Sequence, residues 1–156
     1  MTAVVLSRKL ALSLSAAGGY ESALSLATEF QLWRDGGIGP GDTFGKSTPF
    51  IKPKQLTELG LWKVHLEEPS VTPKWNLLLE QQVSDPGRFT SDKVLVYAHL
   101  ADMAYQPYLL QDILYPGHAF MENPHLVLGL AYEYESERKA LSMRVPADNW
   151  IVVGMD

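Results

Sequence analysis

The chain has 156 residues, 46% of them apolar and 20% charged, which fits one ordinary domain with its own core and argues against disorder. It has no cysteine, so disulfide frameworks, zinc ribbons and thiol nucleophiles are excluded, and a cytoplasmic location is the expectation. A net charge of −5 argues against a general nucleic-acid binder, but residues 1–100 carry ten Lys/Arg against ten Asp/Glu, whereas residues 101–156 carry three against eight. The acidity belongs to the carboxy-terminal third, and a local basic face is compatible with the rest.

Val4 to Leu14 reads as a first strand, closed by Ala16-Ala17-Gly18-Gly19. A secretory signal is disfavoured there, because Val4, Val5 and Leu6 precede the charges Arg8 and Lys9 and polar residues interrupt the apolar stretch after them. No run approaches the roughly 18 apolar residues of a membrane span. Tyr20 to Asp35 has apolar residues at helical spacing, and Gly36-Gly37 stops it. Gly36 to Pro53 reads as a long loop clamped by Phe44 and Phe50. Leu59 to Glu67 alternates, with Trp62, Val64 and Leu66 on one side and Leu61, Lys63 and His65 on the other. Pro69 to Arg88 is expected to be a loop with a short helix around Trp75 to Gln82. Asp92 to Leu100 and Tyr108 to Tyr115 are strands, the second ended by Pro116-Gly117. Asn123 to Leu141 is a helix, with Asn123 as cap, Pro124 in its first turn, and Arg138 and Lys139 at its end. A turn at Pro146 and Asp148-Asn149 then leads into a last strand over the apolar run Trp150 to Val153. This order predicts one α+β domain over residues 1–156, a small and mostly antiparallel sheet packed with helices.

The stretch from Phe30 to Leu66 carries Phe30, Arg34-Asp35-Gly36, Pro40, Phe44-Gly45, Phe50 and His65-Leu66. Downstream come Leu95-Val96-Tyr97, then Leu109-Leu110 with Ile113-Leu114, then Pro116 and His118. In this pattern the chain resembles the YafO family of toxins over roughly residues 4–135, which leaves 142–156 as a carboxy-terminal extension. The resemblance implies a RelE-like fold and a ribosome-dependent mRNA endoribonuclease that inhibits translation. It also implies three partners (a cognate antitoxin, the ribosome and mRNA) and no cofactor. The alternative, favoured by the acidic third and the few arginines, is a non-catalytic binding or regulatory module on the same fold.

Metal-independent RNA cleavage needs a base for the 2′-hydroxyl, a cation beside the phosphorane and an acid for the leaving 5′-oxygen. Lys63 and His65 lie two apart on a strand and share a face. Lys93, Tyr97 and His99 share a face of the next clear strand. If pairing aligns these faces, Lys63, His65, Tyr97 and His99 form one catalytic surface, and Arg34, Lys46 and Lys93 are the expected RNA contacts. The bland alternatives are an ordinary solvent face and, for Arg34, a helix cap with Asp35. His118 and His125 read as exposed structural histidines. The four histidines have no metal-binding spacing, Gly45-Lys46-Ser47 lacks the first glycine of a phosphate loop, and no GxSxG elbow is present. Trp33, Trp62, Trp75 and Trp150 read as core, and Glu133, Glu135 and Glu137 as a solvated helix face.

Overall fold

The first apolar run is divided at Ser7. Its hydroxyl accepts the Leu10 N–H at 3.1 Å and donates to the Gln111 carbonyl at 2.7 Å, which starts a helix where the sequence alone predicts more strand. In this computed structural model, which describes residues 1–143 and 150–155, strand β1 is therefore only Val4–Leu6 and helix α1 runs Arg8–Gly18. The expected strand to Leu14 is corrected: Leu, Ala and Ser dominate Leu10–Ala17, no β-branched residue favours a strand there, and a cap is in place. Gly19, at φ +81°, breaks α1 from helix α2, Tyr20–Arg34.

A second correction falls in the expected loop, where Phe44–Pro49 forms strand β2. Its Gly-Lys-Ser-Thr centre shows no apolar alternation, so nothing in the sequence marks it as a strand. Gly45 is what allows it. A Cβ there would lie 2.1 Å from the Phe89 carbonyl oxygen, the same oxygen that accepts the Lys46 N–H at 2.9 Å. Helix α3 (Lys54–Leu59), ended by Gly60 in the left-handed region, leads into β3, Trp62–Leu66. Then follow α4 (Thr72–Glu80), a 3₁₀ turn at Pro86–Arg88, β4 (Val94–His99) and β5 (Tyr108–Leu114). Helix α5 (Gly117–Met121), helix α6 (Pro124–Ser142) and strand β6 (Ile151–Val153) complete the described residues. Asn123 caps α6 by accepting the His125 and Leu126 N–H groups.

The six strands lie in the order β2-β3-β4-β5-β1-β6, antiparallel except for the parallel β1–β5 pair, so the fold is α+β with a mostly antiparallel sheet. Helices cover both faces. Phe30, Ala23 and Leu10 of α1 and α2 pack on Leu6, Val64, Leu95 and Tyr97. On the other face Leu130 and Tyr134 of α6, with Leu56 of α3, pack on Val94, Val96 and Leu109. A satellite core of Trp75, Leu78 and Phe89 anchors α4. None of the helices among the described residues is long and apolar enough to cross a membrane.

Strand β6 pairs with β1 in the register Val5↔Val152, and Trp150 and Ile151 are buried, with the Arg8 guanidinium 5.3 Å from the Trp150 ring centroid. The turn expected at Pro146 and Asp148-Asn149 lies outside the described residues. Burial of Trp150 and Ile151 contributes about 1.5–3 kcal/mol each. A chain ended at residue 149 should therefore melt on the order of 10 °C lower or become insoluble. Thermal unfolding checks this, and a shortened chain with an unchanged melting temperature would show that β6 is dispensable.

Candidate functional site

The register of β3 on β4 decides which side chains meet. Trp62 lies opposite Tyr97, Lys63 opposite Val96 and His65 opposite Val94. Directly opposed residues share a face, so Lys63 and His65 project toward the α3/α6 side with Val94 and Val96. Tyr97 and His99 project toward α1 and α2. The expected single surface of Lys63, His65, Tyr97 and His99 is thus corrected: the structure brings the first pair together and sets the second pair on the opposite face.

Lys63 borders a cleft of about 630 Å³ between the β2–α3 segment, α5 and the start of α6. Phe50, Met121, Val127 and Leu128 give it an apolar floor, and Lys52, Lys63, His118 and Glu122 give it a polar rim. The Lys63 ammonium lies 5.0 Å from the Phe50 ring centroid and 3.5 Å from the Met121 sulfur. Burial lowers the pKa of Lys63 below the ordinary lysine value, and the charges of Lys46 and Lys52 lower it further. Two residues along, His65 is half-buried, and its Nδ1 sits 2.9 Å from the Ser91 nitrogen and 2.6 Å from the Ser91 oxygen. Unprotonated Nδ1 accepts the Ser91 N–H, whereas Nδ1–H, in the other neutral tautomer or in the imidazolium, donates to the Ser91 carbonyl, so Ser91 holds the ring in each state. Burial lowers the His65 pKa, the Ser91 backbone partly offsets this, and His118, Lys46 and Lys63 add repulsion. Neutral imidazole is the favoured form at pH 7.

The same segment holds a second histidine. The Asp92 carboxylate accepts the His118 backbone N–H at 2.8 Å, and its Oδ1 lies 2.6 Å from His118 Nδ1. The Asp92 carbonyl accepts the Gly117 N–H at 2.6 Å, and a Cβ on Gly117 would stand 3.0 Å from that carbonyl oxygen. The hydrogen bonds from His118 hold the Asp92 carboxyl below the usual carboxylate range. Lys52, Asp92 and His118 are the site residues that sequence reasoning missed. For His118 the signal was its Pro-Gly turn, which becomes the first turn of α5 beside the cleft.

Among the expected RNA contacts, exposed Lys46 belongs to the cluster, since its charge acts on both Lys63 and His65. Arg34 does not. Its guanidinium lies 5.1 Å from the Trp33 ring and 5.0 Å from the Tyr108 ring, and it donates to the Tyr108 hydroxyl at 3.1 Å. Lys93 precedes β4, and alternation sends it toward the Tyr97 side. Tyr97 is buried with its hydroxyl 2.6 Å from Ser47 Oγ, and burial pushes its pKa up. His99 stacks on Tyr108 at 4.4 Å, with Nε2 3.0 Å from the Gln106 carbonyl. The Asp35 of Arg34-Asp35-Gly36 is also structural, because its carboxylate accepts the Thr2 N–H at 3.0 Å and fastens α2 beside β1. Among the described residues no three His, Asp or Glu side chains gather as metal ligands.

The family described as Toxin YafO, type II toxin-antitoxin system, matches residues 31–136, a span that includes β2 to β5 and the whole cleft. No curated protein and no solved structure matches the chain.

Because the folded pKa of Lys63 lies below its unfolded value, its charge costs stability at every pH below the unfolded pKa of about 10.5. Lys63→Met keeps the stem against Phe50 and removes the charge. The variant should melt above the parent at pH 7, and a lower melting temperature would mean that the ammonium is held by attraction. His65 has the same sign. Its protonation should cost stability as pH falls below about 6.5, so the melting temperature of His65→Gln should fall less steeply over that window than the parent's.

Proposed function

The chain belongs to the YafO family of toxins of type II toxin–antitoxin systems, and from that premise we propose that it is a metal-independent endoribonuclease that cleaves mRNA on the ribosome and so inhibits translation. The observation that carries this reading is that Lys52 and Lys63 line one cleft, with Lys46 and His65 near enough for their charges to act on or with Lys63, in a chain of net charge −5. In the neutral tautomer whose Nδ1–H donates to the Ser91 carbonyl, His65 presents an unprotonated Nε2 as the base for the 2′-hydroxyl proton. Lys63, with Lys46 and Lys52 beside it, stabilises the charge that builds on the phosphorane oxygens.

A patch this small cannot hold a long RNA by charge alone, since each phosphate neutralised by a Lys or Arg adds one increment of affinity. Alignment of the strand is therefore assigned to the ribosome, which supplies the proximity contribution. The antitoxin partner follows from family membership, and the cytoplasm is the assigned compartment because translated mRNA is there.

Induced expression should arrest growth, and primer extension should find cuts in a translated reporter but not in a copy lacking its start codon. His65→Ala should lower cleavage by about 10²–10⁴-fold, at a stability cost of only about 1 kcal/mol for the lost Ser91 bond. His99→Ala, on the opposite face, should cleave like the parent. Efficient cutting of naked RNA would refute ribosome dependence, and full activity in folded His65→Ala would remove His65 as the base.

A further inference from the structure

His65 and Lys63 supply a base and a charge stabiliser, but neither protonates the departing 5′-oxygen. His118 lines the same cleft as Lys52 and Lys63. Its ring is oriented by a carboxylate: Asp92 Oδ1 meets Nδ1 at 2.6 Å and the His118 backbone N–H at 2.8 Å, so one oxygen fixes both ends of the residue. With Nδ1 committed, Nε2 is the nitrogen that can act on a bound molecule, and the side chain is 71% exposed. A carboxylate on Nδ1 stabilises the imidazolium and sets which nitrogen exchanges a proton. The pair is held from both sides, since Gly117 donates to the Asp92 carbonyl at 2.6 Å, where a Cβ would be in tight contact with that oxygen. An incidental surface pair needs none of this. His118 is also near enough for its charge to act on His65.

We propose that His118, positioned by Asp92, is the general acid of RNA cleavage in this cleft, a role that rests on the nuclease reading of the same site. In the step, the 2′-oxygen attacks phosphorus as its proton passes to His65. The P–O5′ bond then breaks as the Nε2 proton of His118 passes to O5′. The products are a 2′,3′-cyclic phosphate and a 5′-hydroxyl, with His65 now protonated and His118 neutral, and exchange with water restores both. Asp92 is a positioning residue.

A leaving group that needs no acid provides the test. The parent protein's cut site is first mapped on a short ribosome-bound mRNA. The same mRNA is then made with sulfur in place of the bridging 5′-oxygen at that linkage, because a thiolate, with a conjugate-acid pKa of about 8.5, departs unprotonated. His118→Ala should cleave the ordinary linkage about 10²–10⁴-fold more slowly than the parent and recover to within about tenfold of it on the sulfur linkage. His118→Gln, which can keep a donor toward Asp92 but cannot transfer a proton, should behave the same way. Asp92→Asn should show a smaller loss and the same rescue. Equal losses on both linkages in folded variants would overturn the acid role in favour of a binding or structural one. Parent-like cleavage of the ordinary linkage by His118→Ala would overturn it outright. Failure of the parent protein to cut ribosome-bound mRNA would instead refute the nuclease reading, and this proposal with it.

Discussion

Two consecutive residues, Ser91 and Asp92, hold His65 and the cleft's His118 in place. The backbone of Ser91 grips His65 Nδ1, and the carboxylate and carbonyl of Asp92 grip His118 and Gly117. Both residues lie just before β4, separated from its start by Lys93, and its buried Val94 and Val96 are fixed between β3 and β5. The spacing of the two histidines is thereby tied to the most deeply buried part of the sheet. A shift of one residue in β3 on β4 would carry Lys63 and His65 to the other face and leave His118 alone on the cleft.

The charge distribution follows from the same framework. Much of the carboxy-terminal acidity is spent inside the molecule. Lys9 bridges Asp112 at 3.1 Å and Glu133 at 2.9 Å, Arg8 meets Glu137 at 3.3 Å, and Arg138 pairs with Asp102. The first three contacts bind α1 to α6 and β5, and the last ties α6 to the turn after β4. Glu122, just after α5, reaches the cleft rim, while Glu133 and Glu137 of α6 face α1. Lys46, Lys52 and Lys63 therefore keep a local positive field despite the overall charge. Burial of the Lys63 ammonium, and after it the charges of Lys46 and Lys52, cost folding stability, as its lowered pKa indicates, and such a cost is expected where chemistry and not packing sets residue choice.

Long periodic segments were legible in the sequence. The helices at Tyr20–Arg34 and Pro124–Ser142 and the strands at Trp62–Leu66, Val94–His99 and Tyr108–Leu114 all follow from spacing and caps. What escaped was tertiary. Strand β2 exists because Gly45 passes against Phe89, and α1 begins because Ser7 reaches both Leu10 and Gln111, a contact 104 residues away. The pairing of Lys63 and His65 was readable from alternation alone. Their relation to Tyr97 was not, because β4 is apolar on both faces and its own pattern cannot choose a register. His118 was missed because its partner Asp92 lies 26 residues earlier.

The central claim is that His65 and His118 move two protons during transesterification of ribosome-bound mRNA, and the chemistry of the cut ends tests it most directly. Purified protein is incubated with ribosomes programmed with a defined mRNA, and the fragments are probed with polynucleotide kinase and a cyclic-phosphate-specific ligase. The account predicts a 2′,3′-cyclic phosphate on the upstream fragment and a 5′-hydroxyl on the downstream one. A 5′-phosphate with a plain 3′-hydroxyl would mean that water, not the 2′-oxygen, attacks phosphorus, and would contradict it.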